Sequence, residues 1–211
     1  MNAVEIITEP QPKPALGRAD WLRSALQLLI SDGIDAVQIT RLATSMSVTR
    51  GSFYWHFKGR EDLLSAMLAE WRAANNAFFK ETLRDCHTLP DTVLKFFEIW
   101  VGTGLFSPQL DQSVRDWARL DGAVLALVRA EDTRRIGDIA DAFARCGFDG
   151  AEADMRARVL YFSQVGYTAN NLDEAMNERL SRLKQYYHVY TGRELDAGIA
   201  KAFITRMRGI L

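Results

Sequence analysis

The chain has little of what would staple, anchor or break it. Its two cysteines, Cys86 and Cys146, stand alone with no CxxC spacing, which argues against a disulfide framework and suits reduced, buried, intracellular thiols. The three histidines, His56, His87 and His188, are far apart in sequence and unsuited to sharing a metal, so neither metal nor other cofactor is expected. No run of 18 apolar residues occurs, so no membrane span and no membrane partner are expected. The opening segment MNAVEIITEPQPKPALG lacks a basic start and an apolar core, so it does not read as a signal peptide. No stretch sustains apolar–polar alternation with β-branched enrichment, so no strand is predicted. There is no nucleophile–base set and no paired-carboxylate motif. Gly102–Thr103–Gly104 lies in a helical pattern, without the strand a nucleotide loop needs. Catalysis is therefore not expected.

What remains is a 211-residue chain of ordinary globular composition, 48% hydrophobic and 25% charged, with a net charge of −1. The charge is unevenly spread. Residues 13–60 carry seven basic groups (Lys13, Arg18, Arg23, Arg41, Arg50, Lys58, Arg60) against three acidic ones (Asp20, Asp32, Asp35), whereas residues 61–211 carry a net −3. A basic head on a mildly acidic body suits a protein whose head alone meets phosphate, although +4 over 48 residues also arises by chance.

Apolar residues recur at helical spacing throughout. Helices are predicted over Arg18–Asp32, Gln38–Met46, Arg50–His56, Arg60–Arg84, Thr92–Phe106, a short segment after Ser107–Pro108, Gly122–Arg145, Ala151–Asn171, Asp173–Tyr190 and Glu194–Arg208. Gly33, Gly147 and Gly192 are placed as stops, and Asp91 as a cap. The fold class is all-α. An N-terminal arm (1–17) precedes a three-helix head (18–62), which joins through its fourth helix to a helical body (63–211). The arm, with Pro10, Pro12 and Pro14, reads as a tail or as an extension whose Lys13 and Arg18 reach a minor groove.

Residues 40–60, TRLATSMSVTRGSFYWHFKGR, pack two short helices around a tight break at Ser47–Val48–Thr49. That is a helix-turn-helix unit, whose second helix enters the major groove in DNA-binding versions. Arg41, Lys58 and Arg60 flank this helix and can neutralise phosphate, while Thr40 and Tyr54 can donate hydroxyl bonds to phosphate oxygens. Arg50 can grip guanine with its planar fork. Thr49 and Ser52 are short enough to touch base edges, and Gly51 lets the backbone come near the duplex. Trp55 can pack on sugar or thymine methyls, and His56 suits a phosphate contact or a cap. Phe53 and Phe57 read as the core behind.

The segment resembles the tetracycline-repressor (TetR) family of bacterial transcription regulators. The likeness runs from Trp21, Leu22, Ala25, Leu29 and Gly33 through Gly51–Phe57 to Arg60–Glu61–Asp62–Leu63–Leu64, covering roughly residues 18–70. Gln38 and Ser47 depart from the family's usual Thr or Ser cap and turn glycine.

The resemblance implies a cytoplasmic homodimer bound to double-stranded operator DNA, most simply a repressor released by a small-molecule effector. It implies an effector pocket in the body, for which Phe96, Phe97, Trp100, Trp117, Tyr161 and Gln164 are the candidates. It also implies dimerisation through the last two long helices, with Tyr161, Val165, Thr168, Leu172, Met176, Leu180, Leu183 and Tyr187 as the candidate interface. Two alternatives stay open: an architectural or partner-recruiting DNA-binding protein of the same fold, and a helical enzyme or carrier with an incidental head.

Overall fold

The computed structural model describes residues 16–101, 106–170, 172 and 174–210, with side chains for all of these except 77, 78, 100 and 101. Among them no strand occurs. The helices are α1 (Arg18–Asp32), α2 (Ile39–Ser45), α3 (Arg50–Tyr54), α4 (Arg60–Arg84), α5 (Leu89–Val101), α6 (Pro108–Ala118), α7 (Gly122–Arg145), α8 (Gly150–Ala169), α9 (Met176–Ser181), α10 (Leu183–Thr191) and α11 (Ala197–Ile210). A single 3₁₀ turn, Ile34–Ala36, links α1 to α2.

Local chemistry sets the helix ends. Asp20 reaches back to accept from the Gly17 N–H at 2.9 Å. Ser107, Asp121 and Asp149 cap α6, α7 and α8 by accepting from backbone N–H groups of the first turn. Gly33 ends α1 at φ +79°, a conformation L side chains rarely adopt, and donates to the Leu29 carbonyl at 3.1 Å. The α5 cap differs from expectation. Thr88 donates its hydroxyl to Asp91 at 2.6 Å and accepts the Asp91 N–H at 3.2 Å. The helix therefore begins at Leu89, with Pro90 harmless in its first turn, and Asp91 supports the cap instead of forming it.

The helix expected over Asp173–Tyr190 is likewise two. At Arg182 (φ −94°, ψ 6°) the chain leaves helical geometry, and α10 sets off from there.

Among the described residues, two apolar cores organise the helices. The first joins Trp21, Ala25, Leu29, Leu42, Phe53 and Phe57 of the head to Leu63, Met67 and Trp71 of α4, and to Val114, Trp117, Val124 and Val128 of α6 and α7. Phe53 stacks on Phe57 and meets Trp21 edge-on, with centroids 5.4 and 5.3 Å apart. Head and body thus share a core, and α4 runs unbroken from one into the other. The second core gathers Phe79, Phe96, Phe97, Phe106, Ile139, Phe143, Leu160, Tyr161, Leu183, Tyr187, Phe203 and Met207.

Candidate nucleic-acid interface and effector region

The turn between α2 and α3 is closed by the Val48 N–H on the Ala43 carbonyl at 2.9 Å, with Ser47 held at φ +57°. Ser47 is the non-glycine residue with positive φ among those described, as expected of a residue standing where the family favours glycine. Leu42, Ala43, Phe53 and Phe57 face inward. That leaves Thr40, Arg41, Thr49, Arg50, Gly51, Tyr54, Trp55 and Lys58 exposed, with Ser52, His56 and Arg60 half-buried. Trp55 is 87% exposed at the end of α3 with no core to fill. A Cβ added at Gly51 would meet only the Thr49 hydroxyl at 3.6 Å, an ordinary contact, so the fold itself does not demand glycine there.

The basic side chains divide into two sets. Among the described residues, Arg50 and Lys58 carry no ion pair; the Lys58 backbone N–H donates to the Asp62 carboxylate in the first turn of α4 at 2.9 Å. Arg41 and Arg60, expected to flank the recognition helix as phosphate ligands, are already engaged. Arg41 pairs with Asp32 at 2.7 Å, and this hydrogen bond, after that from Ser31, holds the Asp32 carboxyl below its usual range. Arg60 donates from Nε to the Val37 carbonyl at 2.7 Å and from Nη2 to the Ile34 carbonyl at 3.1 Å, tying the 3₁₀ turn to α4. Sequence spacing hid this role because the carbonyls it satisfies lie more than 20 residues upstream. Gln38 occupies the cap position of α2 without capping it, and gives its amide to the Asp35 carbonyl instead.

The expected effector residues do not converge on one pocket. Phe96, Phe97 and Tyr161 lie buried in the body core, but Trp117 belongs to the head core, because α6 turns that face toward α1. The Trp100 side chain lies outside the described residues. Gln164 is buried and accepts from Arg179 at 2.8 Å. Tyr161 enters a buried ionic network that composition gave no hint of. Its hydroxyl donates to Asp132 at 2.7 Å and accepts from Arg115 at 2.9 Å and Arg135 at 3.1 Å. Arg115 bridges Asp132 (2.6 and 3.0 Å) and Asp111 (2.9 Å), while Asp111 also accepts from Trp71, Asn75 and Arg135. Burial acts to raise the Asp111 carboxyl, but Arg135 and Arg115 prevail and hold it below its usual range. Burial pushes the Tyr161 hydroxyl well above its ordinary value.

The expected dimer face needs a larger correction. Tyr161, Leu180, Leu183 and Tyr187 are all buried inside the monomer, and Val165 and Met176 pack against the same core. Thr168 is half-buried, bonded to the Gln164 carbonyl, and Leu172 is exposed. The helical spacing found there is that of an inward stripe. The outward face of α8 instead presents Met155 (60% exposed), Val159 (43%) and Phe162 (48%) at intervals of four and three, and α10 presents Val189 (67%).

Among the described residues no helix is long and apolar enough to cross a membrane, and no cluster of metal-ligating side chains occurs. Cys86 and Cys146 are free thiols, and burial raises the Cys86 thiol.

Helices without strands among the described residues, with an exposed α3 following a four-residue turn (Met46–Thr49) from α2, define a helix-turn-helix protein. Comparison with known proteins makes this specific. Residues 22–67 match the family described as bacterial regulatory proteins, tetR family, so the likeness lies in the segment that holds α2 and α3. The transcriptional regulator SrpR of Pseudomonas putida is 37% identical over 46 residues, 22% of each chain. The class A tetracycline repressor from transposon 1721 of Escherichia coli is 27% identical over 99 residues, 47% of this chain and 42% of that one. The chain thus matches less than half the length of these relatives. Among solved structures, BioQ with its natural double-stranded DNA operator is 20% identical, covering 88% of this chain and 98% of that chain at a TM-score of 0.39.

Proposed function

We propose that the chain is a non-enzymatic, sequence-specific transcription regulator of the bacterial cytoplasm. On this reading it binds operator DNA as a homodimer and is released by a small organic effector. The observation that carries it is the outer face of α3 and the turn after it, where Arg50, Tyr54, Trp55 and Lys58 stand exposed over an aromatic core within the matched segment. Arg50 reads a base; Thr40, Tyr54 and Lys58 hold phosphate; Thr49, Gly51 and Ser52 permit close approach. Arg41 reaches phosphate by exchanging its exposed partner Asp32, a weak competitor in solvent. The relatives' identity as transcription regulators supports the reading.

A lone recognition helix makes few contacts, so two copies are required, with their recognition helices about 34 Å apart. The Met155–Val159–Phe162 face of α8, with Val189 of α10, is the pairing surface on this reading. The test is a footprint on DNA upstream of the chain's own gene. Protection of one palindromic site is expected. Uniform coverage of unrelated DNA would overturn the proposal in favour of an architectural role.

A further inference from the structure

We propose that the effector is an organic carboxylate whose head group seats on the free edge of Arg135 inside the body; this deepens the effector-released reading above and rests on it. Arg135 projects from α7 and is fully buried. A guanidinium carries five N–H donors. Nη1 donates to Asp111 at 2.8 Å and to the Tyr161 hydroxyl at 3.1 Å. Nε and Nη2 meet no acceptor at all. These two nitrogens form one edge of the fork, whose parallel N–H bonds match the two oxygens of a carboxylate.

The carboxylates already present do not serve this edge. Arg115 holds both oxygens of Asp132 and the second oxygen of Asp111, while Trp71 and Asn75 crowd the first. The rings of Trp71 and Phe79 lie 5.2 and 5.4 Å from the guanidinium carbon. A π face tempers the cation but offers no lone pair. A buried donor without an acceptor is destabilising, so the edge is poised for one.

The surroundings define the rest of the ligand. Phe79 meets Phe96 at 6.2 Å and Phe106 at 5.6 Å, so an aromatic wall leads away from the guanidinium and suits an aryl or alkyl body. The network's two arginines and two aspartates cancel, so an entering carboxylate must be held by paired, charge-assisted bonds, which a single carbonyl cannot form. The network also supplies a route to the head. A carboxylate on the free edge of Arg135 places a second negative charge on the guanidinium that Asp111 already neutralises through Nη1, and the other partners of Asp111, Trp71 and Asn75, belong to α4, the helix that carries the head. A ligand that favours one placement of α4 shifts the spacing of paired heads.

The experiment measures equilibrium binding of benzoate, naphthoate, hexanoate and decanoate to the purified full chain, each beside its methyl ester. At least one acid is expected to bind saturably and at least tenfold tighter than its ester. Arg135→Lys, which retains the charge and loses the fork, is expected to weaken that acid at least tenfold and leave the ester unchanged. Binding by no acid, equal binding of acid and ester, or an unaffected Arg135→Lys overturns the proposal. Should that variant fail to fold, Phe79→Leu takes its place. It is expected to change the order of preference among the acids, and an unchanged order overturns the proposal. A parallel footprint separates the two readings. DNA binding without carboxylate binding overturns this inference alone, whereas carboxylate binding without DNA binding supports the site and overturns the regulator.

Discussion

In the head, Trp21, Phe53 and Phe57 close an apolar core, and the polar side chains that face DNA on the proposed reading stand in solvent. In the body the arrangement is reversed. Every buried polar or charged residue among those described lies beyond residue 62, including Asp111, Glu131 and Arg135. The difference follows from the size of the partner each would meet. A duplex is too large to enter a protein, so its contacts must be displayed; a small molecule is recognised by being enclosed, so its contacts must be buried and otherwise satisfied. The buried charges make the body expensive to disturb, while the head can change its outer face at little cost to stability.

The largest effect is expected at Asp111. Asp111→Ala leaves Arg115 and Arg135 without their shared carboxylate, and breaking a buried pair costs about 3–5 kcal/mol. Urea unfolding monitored by circular dichroism measures it, and a loss below about 1 kcal/mol would erase the contrast with the head. The same group sets a pH signature. Its folded pKa lies below the unfolded value of about 3.9, so its contribution is complete above that pH and is lost only as pH falls through the lower folded value.

Next comes Phe162→Glu on the outer face of α8. A charge desolvated in an interface costs several kcal/mol, so sedimentation should show a folded monomer where the parent chain is a dimer. Leu183→Glu, by contrast, should unfold the body, because Leu183 lies in its core. A dimeric Phe162→Glu would move the pairing surface elsewhere.

Smaller effects are expected on the head. Arg50→Ala should cost about 1–3 kcal/mol of operator binding and relax preference at one base pair, whereas Tyr54→Phe should weaken all sequences alike. Binding titrations on the operator and on scrambled DNA separate the two, and equal loss of preference would contradict both roles. Neither variant should alter unfolding by more than about 0.5 kcal/mol, since both side chains are exposed.

The smallest effect is at the turn. Ser47→Gly relieves a positive φ worth about 1 kcal/mol, partly offset by added freedom in the unfolded chain. A modest rise in melting temperature with unchanged operator affinity is expected.

The head was legible because its signals are local. The stop at Gly33, the turn at Ser47 and the inward placement of Phe53 and Phe57 depend on neighbours within one or two turns. The bounds of α1, α4 and α7 could be read for the same reason. Where the body differs from the sequence reading, the differences have one shared cause. Periodicity shows that Leu180, Leu183 and Tyr187 face something apolar, but one partner's interior and another copy's surface look alike in sequence. The same ambiguity groups Trp117 with the effector candidates in sequence, although α6 packs that face against the head.

Sequence alone determined the helical class, the placement of most helices and the outward chemistry of α3, because capping, helical spacing and exposed donors are short-range properties. Tertiary structure decided which arginines remain free. Arg60 is spent on two carbonyls more than 20 residues upstream, Arg115 on carboxylates of two helices, and Arg135 keeps an open edge because the acceptors around it are already filled. Hydrogen bonding between distant segments depends on where the chain brings each donor and acceptor, and spacing along the sequence does not carry that information.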